Sequence, residues 1–125
     1  MKFLAFIFIF AGVTVSVLSF GKEARVLRLS EKNVETVHIH PGFTTVLSFP
    51  MKPTKVLVGN RGLFGVEFIN NDVAISCLAG SAESNLFVYL ENRRFAFDLI
   101  SKPGTSDEII LVRDSLEDAV RVKVK

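Results

Sequence analysis

Hydrophobic and polar positions alternate along most of this chain with a period of two, the spacing that places successive side chains on opposite faces of a β-strand. The clearest run is Ser84 to Leu99, SNLFVYLENRRFAFDL. With Asn92 and Arg93 at the tip, Leu90 faces Phe95, Val88 faces Phe97 and Leu86 faces Leu99, all apolar and on one side of a hairpin. Glu91 then faces Arg94, Tyr89 faces Ala96 and Phe87 faces Asp98 on the other side. Arg93 is a poor residue for the positive φ of a two-residue turn. A four-residue loop from Glu91 to Arg94 keeps the same pairs, whereas a three-residue loop with a bulge swaps one strand's faces.

Other short strands precede and follow. Arg25 to Ser30, Val34 to His40, Phe43 to Phe49, Thr54 to Val58, Phe64 to Ile69, Val73 to Leu78 and Glu108 to Arg113 are separated by turn formers: Pro41-Gly42, Gly59-Asn60-Arg61-Gly62, Asn70-Asn71-Asp72 and Lys102-Pro103-Gly104. Eight or nine short strands at this spacing predict an all-β, immunoglobulin-like sandwich in one domain, residues 22–125. In the tail, 115–125, Val120, Val122 and Val124 alternate with Arg121, Lys123 and Lys125. The tail reads as the last strand of the sandwich, with an edge strand offered to a partner as the second reading.

The N-terminus has a different pattern. Lys2 precedes a run from Phe3 to Leu18 that is apolar except at Thr14 and Ser16. Ser19-Phe20-Gly21 then supplies small residues three before and one before a cut after Gly21. This is the layout of a secretory signal peptide over 1–21. A cut after Ser19 fits the same rule with Val17 at the third position before it. An uncleaved inner-membrane anchor is the alternative, since the run approaches the ~20 residues that span a bilayer. The expectation is therefore export from the cytoplasm, with no membrane span after cleavage.

Without that segment about 104 residues remain, carrying 14 basic against 13 acidic side chains, a formal charge of +1. A surface this close to neutral gives no argument for nucleic acid as a partner. Cys77 is the one cysteine, so no internal disulfide forms, and its alternation with Val73 and Ile75 reads as a buried small hydrophobe. His38 and His40 share a strand face with Thr36, but no further residues at ligand spacing accompany them, and they read as a polar face. No nucleophile elbow, zinc-binding helix motif or phosphate loop is present. The expectation is a protein that is not an enzyme and that has no catalytic, metal or cofactor site.

Candidate contact residues lie instead on the outer hairpin face. Phe87 and Tyr89 point away from the apolar triplets and are flanked by Glu91 and Arg94, an aromatic centre with a charged rim. Val120, Val122 and Val124 are the second set.

Four blocks resemble one family: Pro41 to Pro50 (PGFTTVLSFP), Lys55 to Gly59 (KVLVG), Ser84 to Tyr89 (SNLFVY) and Arg94 to Leu99 (RFAFDL). Their order and spacing are similar to the N-terminal domain of the CagX/TrbG conjugal-transfer family, periplasmic components of type IV secretion core complexes. Asn85 before alternating hydrophobics, and the Arg-aromatic-x-Phe-x-Leu strand, are the most specific parts. The resemblance spans about Val34 to Val112. It implies a scaffold or adaptor that packs against other envelope-complex proteins, without catalysis and with oligomerisation open to it. Family members usually continue into a second β-domain, so the expectation is a stand-alone N-terminal module. The alternative function is a soluble ligand- or glycan-binding module.

Overall fold

The computed structural model describes residues 12, 23–104 and 106–115. The signal-peptide segment 1–21, apart from Gly12, and the candidate contacts Val120, Val122 and Val124 lie outside the described residues. Among the described residues nine strands form: β1 (Arg25–Leu29), β2 (Val34–Ile39), β3 (Thr44–Ser48), β4 (Lys55–Val58), β5 (Phe64–Ile69), β6 (Asp72–Cys77), β7 (Ala82–Leu90), β8 (Arg93–Ser101) and β9 (Ile109–Asp114). Each strand expected between Arg25 and Arg113 is present, with ends shifted by a residue or two.

The strands make two sheets, one in the order β1-β9-β3-β6-β5 and the other β2-β8-β7-β4. Packed face to face they are a β-sandwich. Period-two alternation explains the packing: every second residue is buried along β6, the later part of β7 and most of β8. Leu86, Val88, Phe95, Phe97 and Leu99 from one sheet meet Leu47, Val73, Ile75, Ile110 and Val112 from the other in one hydrophobic cluster. Phe49, just past β3, crosses the layers and packs edge-on against Phe97, with centroids 6.2 Å apart. Cys77 is buried, its Sγ directed at the Ala79 carbonyl 3.9 Å away.

Three pairings are parallel: β1 with β9, β3 with β9 and β2 with β8. The N-terminal strands therefore sit against the C-terminal ones. Asp107, in the loop before β9, locks this arrangement. Its N–H donates to the His38 carbonyl (2.9 Å) and its carboxylate accepts from the His38 N–H (3.0 Å), so it occupies the open edge of β2. Arg25 lies 3.6 Å from the same carboxylate and donates to the Thr36 carbonyl, and the buried Thr45 hydroxyl donates to the Asp107 carbonyl.

The hairpin faces are as expected, but the register is not. Leu90 pairs with Arg93, Val88 with Phe95, Leu86 with Phe97 and Tyr89 with Arg94. The tip is Glu91-Asn92, so the partners slide by two residues and Glu91 sits in the turn, no longer opposite Arg94. A slide of two preserves every face. Its cause is long-range: Arg93, drawn into the strand, pairs with Asp114 at the end of β9 and with Glu31 in the β1–β2 turn, and its guanidinium lies 5.0 Å over the Phe95 ring. Glu91 accordingly takes a φ of 52°. The equivalent turn position between β5 and β6 is Asn70 (φ 53°), a residue that tolerates left-handed geometry. Glu91→Asn is therefore expected to raise stability by a few tenths to about 1 kcal/mol. The midpoint of urea unfolding reads this, and a fall in the midpoint would contradict the turn assignment.

Candidate functional site

Sheet order assembles the candidate surface from four separate segments. On the outer face of the four-stranded sheet, Leu57 lies opposite Phe87, Phe87 opposite Ala96 and Ala96 beside Val34. This is an apolar row running straight across β4, β7, β8 and β2. Leu57, Phe87 and Ala96 are half-buried by their neighbours, and Val34 is 58% exposed. The facing sheet packs against the other side, and no described element lies over this row.

Polar rows flank it. Towards the hairpin tip, Lys55, Tyr89 and Arg94 are side by side, and the Arg94 guanidinium reaches back to within 6.0 Å of the Phe87 centroid. That distance is at the outer limit of a cation–π contact. Away from the tip, Asn85, Asp98 and Thr36 form the second border. The result is an aromatic centre with basic side chains along one rim and Asp98 on the other.

The second border continues into a depression of about 440 Å³ lined by Asn60, Glu83, Ser84, Asn85 and Asp98. Close packing of the turn at Gly59-Asn60 against β7 builds it. The Gly59 N–H donates to the Asn85 carbonyl (3.0 Å) and the Asn60 N–H to the Ser84 hydroxyl (2.8 Å). A Cβ at position 59 would stand 2.4 Å from Asn85 Oδ1, so glycine leaves the Asn85 side chain the place it occupies.

Sequence reasoning placed Phe87, Tyr89 and Arg94 on one face, and the fold brings all three together. Glu91 is at the edge of this group, in the turn. Ala96 was read on this face, opposite Tyr89 where the register puts Phe87; Leu57 and Val34 were missed, since alternation assigns a residue to a face without saying which strands are neighbours. The Gly59 to Asn85 approach was missed too, although a glycine closing a short strand was its visible sign. His38 lies on the outer face beside Ile100, while His40 falls beyond β2 with Nδ1 3.0 Å from the Pro41 carbonyl and its ring edge-on to Phe43. Among the described residues no group of three or more His, Cys, Asp or Glu side chains is placed to hold a metal ion.

Fold and surface together define a β-sandwich with one sheet face organised around an apolar row. No known protein family matches this chain, and no curated protein matches it. No helix of the described residues is long and apolar enough to cross a membrane.

Proposed function

We propose that this protein is a periplasmic scaffold or adaptor module of an envelope-spanning assembly of the secretion or conjugation type, acting through protein–protein contacts. The observation that carries the reading is the row Leu57, Phe87, Ala96 and Val34, with Tyr89 and Arg94 on its rim. Aromatic and arginine side chains around a flat apolar centre are the composition that protein interfaces concentrate. The N-terminal apolar run behind Lys2 supports delivery to the periplasm. The resemblance of the four sequence blocks to the CagX/TrbG family supports the kind of assembly.

The test is the double substitution Phe87→Ser and Tyr89→Ser, reading fold and assembly separately. Thermal unfolding should remain cooperative, because both side chains lie outside the core. Proteins that co-purify with the wild type after crosslinking in cells should be lost. Retention of the same proteins at wild-type level would refute the surface assignment.

A second reading, glycan binding, is favoured by the polar depression of Asn60, Asn85 and Asp98 next to the aromatic row. Retention on isolated cell-wall material, abolished by Asp98→Ala, would select it over the scaffold.

A further inference from the structure

The two long sides of the sandwich are finished differently. On one side, Asp107 and Arg25 occupy the free edge of β2. On the other, among the described residues, β4 and β5 each pair with one strand only, β7 and β6 respectively, and do not pair with each other. Two free strand edges thus border one seam. Its floor is the core itself: Val56 and Val58 from β4, and Phe64, Val66 and Phe68 from β5, surround a groove of about 360 Å³ with Arg61 among its lining. Phe68 shares the inner face, opposite the buried Val73, yet is 51% exposed. An inward-facing phenylalanine half in water marks a layer that lacks a strand.

The chain contains a segment with the pattern that would fill this gap. Val120, Val122 and Val124 alternate with Arg121, Lys123 and Lys125, and follow β9 at the C-terminal side. Laid along β5, the valines would cover Val66, Phe68 and Val58. The basic side chains would then stand on the outer face beside Glu67, which β5 presents there. The fit is poor within one copy. Six Cα steps separate Asp114 from Val120, about 20–22 Å at full extension. The seam lies beyond β3, β6 and β5, four strand spacings or about 19 Å away. At most about 3 Å is left for passing the Asn70-Asn71 turn, and Ser115 has already left extended geometry. We infer that the β4/β5 seam of one copy takes up residues 120–124 of a second copy as an added strand. Such an interface joins two different surfaces, so it propagates head to tail into a ring or an open chain.

This inference rests on strand edges and stands apart from the outer-face row. Light scattering on protein purified as the cell delivers it should give masses that are multiples of one copy and rise with concentration. Val122→Asp, beyond the last described strand, removes the donor; Phe68→Asp, at a half-exposed position, removes the acceptor. Each alone should reduce the mass to one copy while the β-sheet circular dichroism is retained. Mixed together, the two variants should form a one-to-one dimer and nothing larger, since one keeps the acceptor and the other the donor. A single-copy mass for the wild type across the series overturns the inference. So does an oligomer that survives Val122→Asp, which would indicate β5 pairing with β5. If Phe68→Asp fails to fold, Val122→Asp decides alone.

Discussion

Phe97→Ala should lower the free energy of unfolding by about 3–5 kcal/mol, the cost of emptying a large aromatic site that its surroundings cannot collapse to fill. Phe97 is 1% exposed and packs against Phe49 from the facing sheet. Its loss would open both layers at once. Phe87→Ala, ten residues away on the partner strand and on the opposite face, should cost about 1 kcal/mol or less, near the range of surface substitutions. Urea denaturation of the two variants reads the difference directly. Equal losses would mean that the outer face is covered after all, and would remove the physical basis for treating Phe87 as a contact residue.

Asp107→Ala should cost about 2–3 kcal/mol, because a carboxylate that accepts from a backbone N–H and faces a guanidinium is removed together with its hydrogen bond. The Asp107 side chain is 15% exposed, so water replaces little of what is lost. Asp107→Asn keeps an acceptor for the His38 N–H and gives up the charge facing Arg25. Because Arg25 is 40% exposed, that pair is worth about 1 kcal/mol or less. The two variants should therefore separate, with the Ala form also losing protection of the His38 amide in hydrogen exchange. Identical behaviour of Ala and Asn would show that the hydrogen bond to β2 contributes nothing and that the loop is held by other groups.

Much of the fold was legible because burial here follows a period of two. The inner hairpin face, Leu86, Val88, Leu90, Phe95, Phe97 and Leu99, can be read from the sequence and is buried throughout. Register could not be read in the same way. Sliding one strand by two residues leaves every face unchanged, so the pattern has no power to choose between tips. Arg93 makes the choice through Asp114 and Glu31, partners 21 and 62 positions away in sequence. Strand neighbours were silent for the same reason. Nothing in VETVHI says that it lies parallel to β8. The candidate surface shares this limit: Phe87 and Tyr89 were visible as outward aromatics, but the row they belong to exists only once β4 and β2 are set on either side.

The parallel pairings carry a consequence for how the chain comes to be folded. β1 and β2 have their hydrogen-bonding partners in β9 and β8, so the first two strands made must wait for the last two. Contacts this distant in sequence slow folding, since the chain entropy of closing the loop is lost before any pairing energy is gained. Until residues near Asp114 are present, the five-stranded sheet lacks the strand that joins β1 to β3. β1 and β2 therefore take their places in the sandwich last, after β8 and β9 have been made.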